Sequence, residues 1–218
     1  MAALTVALGA CSSAQTPAAN APAHAPANEP AEPGPAAAPN APGGDGVTQT
    51  TEIFGPACSQ VPAEGVGSAK DMVDDPVATA ASNNPLLTTL TKAVTAAKLG
   101  DTLNSAEALT VFAPSDQAFA DLEAKNPGIT KQLTTDPNAA SADSKLATIL
   151  KYHVVGQRYD AAGLIEAGSV ETLQGGKVPI AGTSAAPTVN GAPVLCGNIP
   201  TKNATVFVFG QVLSPPAS

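Results

Sequence analysis

A strand that runs straight into a helix across a proline, TVFAPSDQAF at 110–119, constrains this chain more than any other segment. Thr110, Val111 and Phe112 favour extended backbone, and Pro114 cannot donate to a ladder, so the strand has to stop there. Ser115 is placed to cap a helix and Asp116 falls in its first turn, where a carboxylate meets the positive end of the helix dipole. Phe119 then turns back toward the core.

Helical periodicity dominates the first half of the domain. Asp75 and Pro76 start a short helix over 76–82, and Asn84 with Pro85 opens a longer one carrying Leu86, Leu87, Leu90, Val94 and Ala97, with Gly100 placed to end it. A further turn of helix is expected over 127–133. Ser141 or Asp143 should cap a helix bearing Leu146, Ile149 and Leu150, which runs into a strand at 152–155. Asp160 caps a short helix closed by Gly168. Beyond it the pattern changes to strands over 169–173, 177–181, 188–189, 194–199 and 205–213, with turn signals at Gly175–Gly176 and Asn190–Gly191. The expected class is α+β: a helical layer packed on a curved, mostly antiparallel β-sheet or open barrel.

The segment before the domain is of a different kind. MAALTVALGAC at 1–11 is an apolar run of small residues ending in Cys11. It looks like a bacterial lipobox, in which cleavage before the cysteine frees a thiol for lipidation. No Lys or Arg precedes the run, so the expectation is that the signal segment starts further upstream. Twelve Ala and eight Pro fill residues 12–43. Such a stretch has too little bulky apolar surface to offset the entropy of ordering, and its prolines extend it toward polyproline II. The organisation expected is therefore a lipoprotein-type signal at 1–11, a disordered spacer at 12–52 and a folded domain at 53–218. Thr48, Thr50 and Thr51 close the spacer as candidate O-glycosylation acceptors.

Charge excludes several partner classes. The net charge is −8, and five of the acids responsible precede Lys70, the first basic residue. The domain has no clustered Lys and Arg to serve nucleic acid or anionic lipid. At 3% aromatic residues and no Trp, it lacks stacking platforms. If Cys11 carries lipid, Cys58 and Cys196 remain. In an exported domain two remaining thiols are most simply a disulfide, since neither has a CxxC partner or a neighbouring ligand for a metal.

Several separated segments now converge. TVFAPSDQAF, ASNNPLLTTL at 81–90, KYHVV at 151–155 and VNGAPVLCGNIPTKNATVFVFGQVLSP at 189–215 resemble successive landmarks of the fasciclin-type adhesion domain. The run 80–85, Cys196 and the ATV at 204–206 look most like the mycobacterial secreted antigens and surface lipoproteins of that family. The resemblance implies a role for Tyr152 and His153, the family's Tyr-His landmark, in binding or folding. It places Asn198 and Ile199 where some animal members carry an Asp-Ile pair linked to integrin binding. With no carboxylate at 198, the resemblance gives no support for an integrin partner.

Catalytic signatures are missing from the sequence. His153 lacks a nucleophile or an orienting carboxylate at readable spacing, and no GxSxG elbow, P-loop, HExxH or Cys-Cys-His cluster occurs. The expectation is no enzyme, no cofactor, no metal and no catalytic residue. The chain reads as a non-catalytic, lipid-anchored bacterial cell-surface binding module mediating adhesion or host and envelope interaction. Its expected partner is a protein or glycan on host cells, matrix or the bacterial envelope. It would be exported, held to the membrane through its lipid alone and exposed at the cell surface, with a released form as a variant. The alternative is an envelope lipoprotein carrying an apolar small molecule or lipid between helices and sheet.

Overall fold

The computed structural model describes residues 46–215 apart from Ala63 and Ala142. Cys11, the lipobox and the spacer up to residue 45 lie outside the described residues. Helix α1 (Ala69–Met72) is capped by Ser68, whose hydroxyl accepts the Asp71 N–H, and α2 (Val77–Asn83) starts behind Pro76. Helix α3 (Thr88–Ala96) gives way to α4 (Gly100–Ser105) after Lys98, which sits at φ 54°. Gly100, expected to end α3, thus starts the next helix, because Lys98 already holds the left-handed position beyond the helix end.

Strand β1 (Leu109–Pro114) leads into α5 (Asp116–Lys125), with the Ser115 hydroxyl accepting the Ala118 N–H. Helix α6 (Ile129–Thr135) and α7 (Lys145–Tyr152) follow. Ser144, rather than Ser141 or Asp143, caps α7. Its hydroxyl accepts the Ala147 N–H at 3.0 Å while donating to the Ala139 carbonyl at 2.9 Å, so the preceding turn holds it in place. Tyr152 belongs to α7 and His153 is its C-cap, which leaves a two-residue β2 (Val154–Val155). Helix α8 (Ala161–Ala167) is capped by Asp160 and closed by Gly168 at φ 63°. Strands β3 (Ser169–Glu171), β4 (Lys177–Thr183), β5 (Ala186–Val189), β6 (Ala192–Pro200) and β7 (Ala204–Phe209) complete the domain.

The sheet order is β2-β1-β7-β6-β5-β4-β3. Neighbours are antiparallel except β1 and β7, which run parallel with Val111 opposite Val206 and Phe112 opposite Phe207. A bridge from Val155 to Thr172 and a 2.7 Å bond from the Leu173 N–H to the Val154 carbonyl bring the two ends together, so the sheet is a nearly closed barrel. Closure removes the exposed edges on which other strands could add.

The parallel pair is buried on both faces, as strands covered twice over must be. Val111, Ala113, Val206 and Val208 face the helices, packing with Leu87, Leu90, Leu146 and Leu150. On the opposite face Phe112, Phe207 and Phe209 fill the barrel with Tyr152, Leu164, Val178 and Val189. Phe112 lies 6.2 Å from Phe207 and 5.8 Å from Phe209 between ring centroids, both tilted, a geometry that adds about 1 kcal/mol per pair to the burial.

The N-terminal part of the described chain is a strap along β6. Phe54 and Gly197 exchange backbone hydrogen bonds, the Ala57 N–H donates to the Leu195 carbonyl, and Cys58 is disulfide-bonded to Cys196. Packing begins earlier than residue 53. The Gly46 carbonyl accepts from the Thr205 hydroxyl at 2.8 Å, and a Cβ on Gly46 would stand 2.3 Å from the Arg158 carbonyl oxygen. Residues 46–52, read from sequence as spacer, are therefore laid against the barrel.

Candidate functional site

The Tyr-His pair sits where α7 meets the barrel, and both side chains are 2% exposed. Tyr152 points into the barrel and its hydroxyl donates to the Lys177 carbonyl at 3.3 Å. Its ring passes so close to Gly176 that a Cβ there would lie 2.9 Å from Tyr152 Cε2. His153 turns the other way. Its Nε2 accepts the Leu213 N–H at 2.9 Å, which requires the proton on Nδ1, and Nδ1 donates to the Ile149 carbonyl at 2.8 Å. Burial pushes its pKa down to about 4 against the opposing effect of the Ile149 carbonyl, so the ring is neutral at physiological pH. Both nitrogens are occupied, leaving no lone pair for a base or a metal.

Asn198 and Ile199 are also inside. Asn198 adopts φ 56° in the irregular stretch of β6, where the register with β7 shifts between Cys196 and Ile199. This directs its Oδ1 to the Ala161 N–H at 2.9 Å, at the start of α8. Ile199 is fully buried in the helix-side core. Of the three threonines read as acceptors, Thr48 is buried, Thr50 half-buried and Thr51 exposed in a short 3₁₀ turn over Thr50–Glu52.

Other polar residues do as much positioning work and gave no periodic signal in sequence. Asn203 takes the Val77 N–H on Oδ1 at 2.9 Å and donates from Nδ2 to the carbonyls of Leu103 and Ala106, both at 2.8 Å. One amide thus ties α2 and α4 to the β6–β7 turn. Arg158 donates from Nη2 to the Thr201 and Ala204 carbonyls at 2.8 and 2.9 Å and from Nε to the Thr205 hydroxyl. Asp116 does more than sit in its own helix's first turn. It accepts the Thr88 hydroxyl and the Thr89 N–H, both at 2.7 Å, at the start of α3. Burial raises its pKa, but the Thr88 and Thr89 bonds prevail and hold it below the ordinary value of 3.8.

A cleft of about 500 Å³ lies in the helical layer. Its walls come from α2, α3 and α4, its floor from Val111, Phe112 and Val154, and Leu150, Lys151, His153 and Leu173 complete the lining at the α7 and β2 side. Leu173 is 46% exposed, one of four large apolar side chains that the described surface leaves uncovered. Among the described residues no group of three or more His, Cys, Asp or Glu could hold a metal ion, and no helix is long and apolar enough to cross a membrane.

A nearly closed mixed barrel with a parallel β1–β7 pair, a helical layer on one side and a strand-to-helix crossing at 114–116 is a fasciclin-type domain. Residues 85–215 match the Fasciclin domain family, and the chain belongs to it. It is 40% identical over 174 residues to the immunogenic protein MPB70 of Mycobacterium bovis, covering 76% of this chain and 84% of that protein. It is 39% identical over 199 residues to the cell surface glycolipoprotein MPT83 of Mycobacterium tuberculosis, covering 85% of this chain and 83% of the relative. Among solved structures it is similar to the FAS1 domain pair of the insect cell adhesion molecule Fasciclin I, with a TM-score of 0.57 at 15% identity. That similarity covers 68% of this chain and 52% of the pair, and it bears on the fold alone.

Proposed function

We propose that this chain is a non-catalytic binding module displayed at a bacterial cell surface, anchored by lipid on Cys11 and lifted from the membrane by its Pro/Ala-rich spacer. The observation that carries the proposal is the similarity to cell surface glycolipoproteins, which extends over 85% of the chain, more than the fasciclin domain accounts for. Adhesion to host cells, matrix or neighbouring envelope is the activity proposed for the domain. A nearly closed barrel supports it physically, because a rigid frame with no free strand edge can present a surface while resisting self-association. Tyr152, His153, Asn198 and Ile199 are buried, so in this reading they shape the surface from beneath.

Two measurements test it. Expressed in its own host, the protein should partition into the detergent phase and the Cys11→Ser variant into the aqueous phase; equal partitioning of the two would remove the anchor. The disulfide-intact protein should bind arrayed matrix proteins or intact host cells saturably, and the heat-unfolded protein should not. Folded protein that binds none of these surfaces would end the adhesion reading.

A further inference from the structure

We infer that the cleft between α2, α3, α4 and the barrel is a binding site for an aliphatic chain, of the kind carried by a fatty acid or by the acyl group of a lipid. This goes beyond surface adhesion and rests on three features of the cleft.

The first is its size. About 500 Å³ falls within the range of small-molecule sites, roughly 300–1,000 Å³. The second is the chemistry of its surface. Val77, Leu90, Val94, Leu103 and Val111 line it with aliphatic side chains, and the ring of Phe112 turns away into the barrel against Phe207 and Phe209, so a flat aromatic ligand has little to stack on.

The third feature concerns the polar side chains in the lining, most of which bond within the protein. Ser82 donates to the Thr79 carbonyl, Thr91 to the Ala81 and Leu87 carbonyls, and Thr95 to the Thr91 carbonyl. Asn104 takes the Ala78 N–H on Oδ1 and donates to the Thr79 hydroxyl. His153, at the α7 side, has both ring nitrogens bonded. Asp101, Thr102 and Lys151 also line the cleft, but a site built to recognise a polar ligand leaves donors or acceptors waiting along its length, and against the aliphatic walls a polar ligand would lose its own hydration with few partners in return. A hydrocarbon chain loses nothing of that kind. It would bury apolar surface that otherwise stays wet, including that of Leu173 at 46% exposure.

The test uses the full chain and a dansyl-labelled undecanoic acid as probe. Saturable fluorescence enhancement at one probe per chain, displaced by palmitate, is expected. Ala81→Phe, which puts a ring into the cleft from α2, should weaken binding by about tenfold or more while circular dichroism and the disulfide stay unchanged. Should that variant fail to fold, Leu173→Ser at the exposed rim serves in its place and should weaken binding in the same direction. A second arm mixes the protein with phosphatidylcholine–phosphatidylglycerol vesicles and assays co-purified lipid. Lipid carried off would identify the acyl group of a lipid as the source of the chain, and palmitate binding without lipid extraction would identify the free acid. No saturable binding in either arm, or binding that a folded Ala81→Phe leaves unchanged, overturns the inference. Adhesion can persist in either case, since the assays are independent.

Discussion

The Nε2 atom of His153 accepts a 2.9 Å hydrogen bond from the backbone N–H of Leu213, sixty residues further along the chain. Through it the segment after β7 is fastened to the end of α7, and the imidazole sits between two fixed backbone groups. Its position in the family's Tyr-His landmark therefore has a structural cause: the ring satisfies a buried amide that leaves the sheet once β7 has ended at Phe209.

That geometry sets a pH dependence. His153 is neutral in the folded protein, with a pKa of about 4, and takes up a proton near 6.5 once unfolded. Between those values the unfolded state binds more protons, so stability is complete above pH 6.5 and falls as the pH is lowered toward 4. The loss is on the order of 3 kcal/mol. Urea denaturation across this window should show the decline, and His153→Gln, less stable at neutral pH, should flatten it. Asp116 and Glu123 have lowered pKa values and lose their contribution only at more acidic pH, as the pH drops below their ordinary 3.8 and 4.5. A His153→Gln profile as steep as that of the parent would show that another group governs the transition.

Asn203→Ala should be among the most damaging single substitutions. It strands the Val77 N–H and two carbonyls, and buried groups left without partners cost roughly 1–3 kcal/mol each, so a loss of about 3 kcal/mol or more is expected in denaturant midpoints. A change below about 1 kcal/mol would mean that water replaces the amide.

Reducing the Cys58–Cys196 disulfide opens a loop spanning a sequence separation of 138. Chain entropy puts its contribution at up to about 5 kcal/mol. The Cys58→Ser, Cys196→Ser variant should melt well below the parent. The strap should be the first segment cut by protease, since its remaining hold on β6 is a few backbone hydrogen bonds.

Gly55→Ala should disturb that same strap. Gly55 stands at φ 122°, and a Cβ there would lie 2.3 Å from the Leu195 carbonyl oxygen, so backbone has to move. A destabilisation on the order of 2 kcal/mol is expected, with hydrogen exchange raised at Phe54 and Ala57. Unchanged exchange at those two amides would show that the strap accommodates the methyl group.

Much of the local structure was legible. Ser115 and Asp160 cap the helices they were expected to cap, and Gly168 closes α8. Phe119 packs on the helix-side core. These depend on neighbours within a turn or two, which is the range over which capping and periodicity act. Where sequence reading slipped, the deciding contact was distant or the choice was degenerate. Ser141, Asp143 and Ser144 are all competent caps, and the turn to Ala139 selected the third. Residues 46–52 look like spacer until Thr205 and the backbone at Arg158 are brought beside them.

Family, class and the pairing of the two cysteines were thus determined by the sequence itself, because each is written in short strings or in a count of residues. Tertiary structure alone decided the parallel β1–β7 pair, the neutral state of His153, the cross-cap of Asp116 on α3 and the cleft in the helical layer. Each of these depends on groups far apart in the chain meeting in a space that excludes water, and no local pattern records which distant groups those are.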